Sequence, residues 1–248
     1  MNPYLAEGVG TALLVLFGNG VVANMVLTRT KGSGGGWICI TVGWGCAVAL
    51  AVYAVGRISG AHLNPAVSVA LASIGSFKWA LVPGYVAAQM AGAFVGAVLV
   101  YLAYLAHWEG TTDAGAKLAC FSTGPALRRT GPACVTEAIG TGALVFVVLT
   151  FGRVAAGAAT DASAWAAAVG LWLGPALVGL LVLAIGLSLG GPTGYAINPA
   201  RDLGPRLAHA VLPIPGKGDS DWGYAWVPVV APIVGGILGA HAFKLLGL

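Results

Sequence analysis

The chain has 248 residues, 58% of them hydrophobic and 8% charged, with a formal net charge of +4 and a mean hydropathy of +0.88. Against roughly 25% charged residues in an average soluble protein, this composition excludes a water-soluble domain and describes a multi-pass membrane protein. The cations are few and set mainly between apolar runs, which excludes a nucleic-acid-binding patch or a basic tail.

In chain order, the first apolar stretch, 4–27, lacks a basic lead and a small-residue cleavage site and is interrupted by Glu7, so it reads as a retained span and not a removed signal. A second span, 37–55, leads into Gly56, Ser59, Gly60 and Ala61, which are expected to depart from helix. Asn64-Pro65-Ala66 follows: Asn is a preferred N-cap, and Pro suits the first helical position, where an N–H would be unpaired anyway. The run from Val67 to Ile74 stops at Gly75; at about 1.5 Å per residue it covers roughly half of a bilayer core of about 30 Å. A third span, 80–105, carries Gly92 and Gly96, a spacing that permits close helix approach. Beyond a polar loop come a fourth span, 133–151, and a fifth, 165–187. Gly190, Gly191, Pro192, Thr193 and Gly194 then break the helix before Asn198-Pro199-Ala200 starts a second short one. The sixth span, 225–246, repeats the glycine spacing at Gly235 and Gly239.

The order is three spans with one half-span, stated twice, at about 1–110 and 130–248 within a single domain of 1–248. Ala6-Glu7-Gly8-Val9-Gly10-Thr11 matches Thr136-Glu137-Ala138-Ile139-Gly140-Thr141. Because three is odd, the second repeat starts on the opposite side of the membrane, and the half-helices enter from opposite faces. A solute path is then expected at the repeat interface near the midplane, where non-helical backbone faces protein or water. The carbonyls of Gly60, Ala61, His62, Gly194 and Ala196 are the expected ladder along it.

Two half-helices meeting N-terminus to N-terminus place about half a positive charge each at the centre and repel cations. Asn64 and Asn198 can cap with their oxygens while their amide N–H groups stay free for a passing water or alcohol oxygen. Arg201, a buried cation in the first turn of a helix, opposes the macrodipole and needs compensation, which adjacent Asp202 is badly placed to give. It is read as a donor fork and charge barrier in the lumen, with loop carbonyls as the alternative partners. Glu7 and Glu137, the acids inside the long spans, occupy equivalent positions; they are read as scaffold acceptors for loop N–H groups, with a proton relay as the alternative. His62 either gates or contributes only backbone with its ring aside, and the second reading is preferred. His107, His209 and His241 receive no role. Cys39, Cys46, Cys120 and Cys134 lack metal-like spacing and read as small buried hydrophobes; a Cys120–Cys134 disulfide is conceivable from their loop but nothing supports it.

Ser59-Gly60-Ala61-His62-Leu63-Asn64-Pro65-Ala66-Val67 and Gly194-Tyr195-Ala196-Ile197-Asn198-Pro199-Ala200-Arg201-Asp202 closely resemble the signature loops of the aquaporin, or major intrinsic protein, family, and the resemblance covers essentially the whole chain. It implies an all-α membrane protein, an aquaporin-like bundle of six transmembrane helices plus two re-entrant half-helices in an inverted repeat. Asp202 directly after Arg201 resembles the glycerol-facilitator branch, with which Tyr104 in the third span, Arg206 after Gly204-Pro205, and Pro232-Ile233 in the sixth span agree. The resemblance also implies a constriction built from Trp44, Gly186, Tyr195 and Arg201. Water-selective members are similar except for His at the Gly186 position and usually Phe at the Trp44 position, so Gly186 is expected to leave room that a His would fill. The branch often has Phe where this chain has Tyr195, whose hydroxyl is expected to narrow or polarise the constriction.

By resemblance the protein is a homotetramer with one pore per subunit in a plasma (inner) membrane, both termini cytoplasmic, with no cofactor or metal. Arg57, Lys78, Arg153 and Lys244 fall on the termini side and Arg29, Lys31, Lys117, Arg128, Arg129 and Lys217 opposite; four against six runs counter to the positive-inside rule, and the orientation follows the resemblance. The expected activity is passive passage of small uncharged polyols, chiefly glycerol, with some water. A lumen with Trp44 and Tyr195 on one side and Arg201 plus carbonyls on the other matches the carbon and hydroxyl edges of a polyol. A water-dominant aquaporin is the nearest alternative. An ion-coupled transporter requires a paired acid or ion site at the midplane, and an enzyme a nucleophile–base set or metal ligands; the sequence displays neither.

Overall fold

The structure is a computed structural model that describes residues 1–161 and 164–247, with side chains outside 153–171. Helix α1 (Pro3–Val26) starts where Asn2 accepts the Leu5 N–H at 2.8 Å and Pro3 takes the first turn. It is followed by α2 (Gly36–Ser59), the half-helix α3 (Pro65–Ser73), a 3-10 turn (Trp79–Leu81) and α4 (Val82–Ala103). After a second 3-10 turn (Leu105–His107) come the short loop helix α5 (Ala114–Ala119), α6 (Thr130–Asp161), α7 (Ala164–Leu189), the half-helix α8 (Pro199–Val211) and α9 (Val227–Leu245). Six stretches among the described residues are long and apolar enough to cross a membrane: Pro3–Val26, Gly36–Ser59, Trp79–Ala103, Thr130–Gly152, Trp172–Leu189 and Val227–Leu245.

Several boundaries differ from expectation. Gly56 and Ser59 belong to α2, whose bonds continue to Gly60 N–H donating to the Gly56 carbonyl at 3.0 Å; the helix ends only at Gly60, whose φ of 83° makes it a left-handed cap. Helix α6 runs to Asp161, ten residues past the apolar stretch, because 152–161 is alanine-rich and continues the helix without needing lipid. Tyr104 is the C-cap of α4 and not part of the span. The Arg153 side chain and Leu248 lie outside the described residues.

The two halves pack alike. Helix α1 lies against α4 and α2 as α6 lies against α9 and α7, and α2 against α7 joins the halves. The half-helices cross over: α3 packs mainly on α9 and α8 mainly on α4. Close approach depends on the paired glycines. A Cβ at Gly92 would overlap the Gly8 carbonyl, and one at Gly235 the Ala138 carbonyl; Gly96 and Gly239 face the carbonyls of Ala12 and Gly142 in the same register. Lipid tails supply no hydrophobic force between helices, so this backbone-to-backbone packing is what holds α1 to α4 and α6 to α9. Both glycine pairs are thus occupied inside the chain and are not open to a second subunit.

All four cysteines are free. Cys120 is buried as expected, but Cys39 and Cys46 are exposed, because they sit on the outward face of α2.

Candidate pore and its constriction

The segment 60–64 and the segment 194–198 repeat one backbone pattern. Gly60, Ala61 and Leu63 have φ of 83°, 47° and 52°; Gly194, Tyr195 and Ile197 have 80°, 39° and 42°. Left-handed non-glycine residues each cost on the order of 1–3 kcal/mol and persist only where surroundings hold them. The holder is a buried carboxylate in each half. Glu7 accepts Ser59 Oγ (2.6 Å) and His62 N–H (3.0 Å) on one oxygen, and Leu63 N–H (2.7 Å) and Gln89 Nε2 (2.8 Å) on the other. Glu137 accepts Ala196 N–H (2.9 Å) and Ile197 N–H (2.7 Å). Charge-assisted bonds of this kind are about twice as strong as neutral ones.

In a trans peptide the carbonyl points opposite to the N–H. With those N–H groups turned to the carboxylates, the carbonyls of Ala61, His62, Tyr195 and Ala196 point away from them. The Tyr195 carbonyl was not anticipated as a member of the ladder. A cavity of about 140 Å³ lies beside these segments. Its other wall is apolar: Val48 and Val52 of α2, Leu144 and Val148 of α6, and Val178 and Val182 of α7. Gly60, Ala61, His62, Asn64, Ala196 and Asn198 border it, whereas Gly194 does not.

The half-helix tips are joined. Asn64 Oδ1 caps the Ala66 N–H at 2.9 Å, and Asn198 Oδ1 caps the N–H groups of Ala200 (3.0 Å) and Arg201 (3.2 Å). Asn64 Nδ2 donates to the Ile197 carbonyl at 2.7 Å, and Asn198 Nδ2 donates to the Leu63 carbonyl at 2.8 Å. This corrects the expectation that the amide N–H groups are free: one hydrogen of each is committed to the opposite loop, leaving one per residue for a solute. Pro65 and Pro199 open the two helices, and Ala66 and Ala200 are fully buried behind them.

Arg201 is 6% exposed and makes no ion pair among the described residues. Its Cζ lies 4.1 Å from the centroid of the Trp44 ring, and Nη1 reaches the Phe121 carbonyl at 3.5 Å. Asp202 does not pair with it. That carboxylate accepts Arg206 Nε at 2.9 Å and Nη2 at 2.8 Å, and the Thr123 N–H and Oγ1 at 2.7 Å each. Arg206, fully buried, also donates to the carbonyls of Ser220, Asp221 and Thr123, binding the loops around 123 and 220 to α8. Removing one partner of such a buried pair costs about 3–5 kcal/mol, because the other charge is left uncompensated.

Tyr195 lies beside Arg201 in the cavity wall, but Gly186 is not in the lining. A Cβ at Gly186 would stand 2.7 Å from Tyr195 Cζ and 2.9 Å from its hydroxyl. The room expected there is filled by the Tyr195 ring, which a side chain at 186 would displace. Gly186 therefore acts from behind Tyr195. Trp37, read only as the start of a span, fixes this corner: its Nε1 donates to the Gly186 carbonyl at 3.0 Å and its ring meets Tyr195 edge-on at 5.7 Å.

The His62 ring is turned aside, with Nδ1 3.0 Å from Ser68 Oγ and its ring against Phe77 and Tyr85. Tyr104 donates to the Gly20 carbonyl at 3.2 Å, tying α4 to α1, and Pro232-Ile233 lies within α9. Sequence reasoning missed Asn19, Gln89, Phe121 and Thr123. Asn19 and Gln89 carried a signal, since an amide inside an apolar span must face a polar partner; Phe121 and Thr123 act through backbone and a small hydroxyl and carried none.

The sequence pattern described as Major intrinsic protein matches residues 1–243. The chain is 60% identical over 246 residues to the probable glycerol uptake facilitator protein of Thermotoga maritima, covering 99% of this chain and 100% of that one. It is 54% identical to the glycerol uptake facilitator protein of Bacillus subtilis, covering 96% of this chain and 82% of the relative. Among solved structures, the aquaglyceroporin from Plasmodium falciparum superposes with a TM-score of 0.80 at 33% identity, covering 98% of this chain and 94% of that one.

Proposed function

Because the chain belongs to the major intrinsic protein family, whose members are passive channels, we infer that it is a multi-pass membrane channel for glycerol and small polyols of that kind, with water also passing. It is not an enzyme. The observation that carries the reading is the arrangement around Arg201: a guanidinium with no ion pair among the described residues, stacked on Trp44, with Tyr195 in the same cavity wall and Gly186 behind Tyr195 in place of a bulky side chain. A polyol slides its carbon edge along Trp44 and Tyr195 while its hydroxyls exchange hydration for Arg201, the carbonyls of 61, 62, 195 and 196, and the spare N–H of Asn64 and Asn198. The fixed charge of Arg201 and the two positive helix ends raise the barrier to cations, hydrated protons included.

Glu7 and Glu137 serve as acceptors that hold the strained loops and take no part in proton relay. We further assign the channel to the plasma membrane with both termini cytoplasmic, assembled as a homotetramer with a pore in each subunit. Labelled-glycerol uptake into proteoliposomes, with and without an imposed potential and pH gradient, tests the mechanism. Uptake should end with equal concentrations inside and out under every condition; accumulation driven by either gradient would establish coupled transport instead.

A further inference from the structure

Two adjacent residues of helix α1 that the family resemblance did not single out reach Trp44 directly and Arg201 by way of the Phe121 carbonyl. Gly18 packs against the face of the six-membered ring of the Trp44 indole so closely that an added Cβ would stand 2.5 Å from Cη2 and overlap Cζ3 and Cε3. Trp44 is 4% exposed and carries Arg201 at 4.1 Å over its ring, so the indole is confined between α1 and the guanidinium. Next to it, Asn19 is fully buried and its Nδ2 donates at 3.0 Å to the Phe121 carbonyl, the same oxygen that Arg201 Nη1 approaches at 3.5 Å. An amide inside an apolar span is costly unless it is bonded, and here its bond fixes the carbonyl that orients the cation.

We propose that Gly18 and Asn19 set the aperture of the constriction: Gly18 fixes how far the Trp44 indole withdraws from the lumen, and Asn19 holds the Phe121 carbonyl that aims Arg201. Both are positioning residues. The inference rests on the reading of Trp44 and Arg201 as the narrow point of a glycerol channel. A methyl at position 18 has no void to enter, because interiors are close-packed and the neighbour is a rigid ring. The indole must move toward Arg201 and the lumen, which obstructs a three-carbon solute more than a water molecule.

The test is stopped-flow permeability of reconstituted native channel, Gly18→Ala, Trp44→Phe and the Gly18→Ala/Trp44→Phe double variant, each read for glycerol and for water. Gly18→Ala should lower the glycerol-to-water permeability ratio about tenfold, equivalent to about 1.4 kcal/mol of added barrier to glycerol. In the double variant the smaller ring leaves space for the methyl, so its ratio should equal that of Trp44→Phe alone. An unchanged ratio in Gly18→Ala, or a double variant showing the product of both single effects, overturns the proposal. Should Gly18→Ala not fold, the double variant decides: it must fold and match Trp44→Phe, and failure to do either overturns the inference. Asn19→Leu, which removes the amide at similar volume, should also change the ratio, and an Asn19→Gln variant should restore part of it. A native channel that passes water but no glycerol would instead defeat the functional reading, separately from the Gly18 result.

Discussion

Tyr195 has a hydroxyl that is buried without a hydrogen-bond partner among the described residues, facing the backbone at Gly186. A buried hydroxyl left unpaired costs about 1–3 kcal/mol, whereas replacing it by hydrogen removes the penalty with little change in shape. Tyr195→Phe should therefore leave glycerol permeability at or above the native level and raise the thermal midpoint in detergent. A large fall in glycerol flux would mean that the hydroxyl contacts solute directly. Among single residues, Asn64, Asn198 and Arg201 were legible because a cap and a misplaced cation are local signals. The partners of Asp202 were not both legible: Arg206 stands one helical turn away, at a spacing that permits pairing, but Thr123 lies 79 residues off and carries no signal. Gly186 was misread for the same reason: sequence displays the missing side chain but not the Tyr195 ring that fills its place.

At the scale of elements, the glycine pairs decide how closely the helices approach. Gly92→Val puts branched carbons where the Gly8 carbonyl lies, and Gly235→Val does so at the Ala138 carbonyl; backbone cannot give way as a flexible side chain can. Each variant should fail to yield folded protein in detergent, while Gly20→Val, which meets nothing within 4 Å, should fold normally. Folded Gly92→Val with native stability would show that α1 and α4 do not depend on this contact. The six spans and both half-helix starts were legible from apolar runs and from Asn-Pro caps. Where α2 ends was not, because Gly56 and Ser59 look like breakers and are tolerated in a helix whose neighbours hold it. The destination of the glycine pairs was also hidden, since spacing signals a close contact without naming the partner helix.

For the whole molecule, the tips of α3 and α8 are joined by reciprocal amide-to-carbonyl bonds, and each half-helix packs mainly on a span of the opposite half. Each strained loop is held by the glutamate of its own half, but its Leu63 or Ile197 carbonyl is bonded by the asparagine of the other half, so the tips meet at the junction beside the cavity. The excess of cations opposite the termini also has a physical account in part. Lys217 Nζ donates to three carbonyls at the end of α8, Lys117 binds the Pro215 carbonyl, and Arg128 pairs with Asp221. These charges are ligands of a loop cluster, so a simple count of cations weighs them as if they were free. The measurement that tests the account most directly is stopped-flow light scattering of proteoliposomes challenged with glycerol and, separately, with an impermeant osmolyte of equal osmolarity. The account predicts rapid shrinkage with both, followed by fast reswelling in glycerol alone. Shrinkage without reswelling in glycerol would make this a water channel and contradict the account.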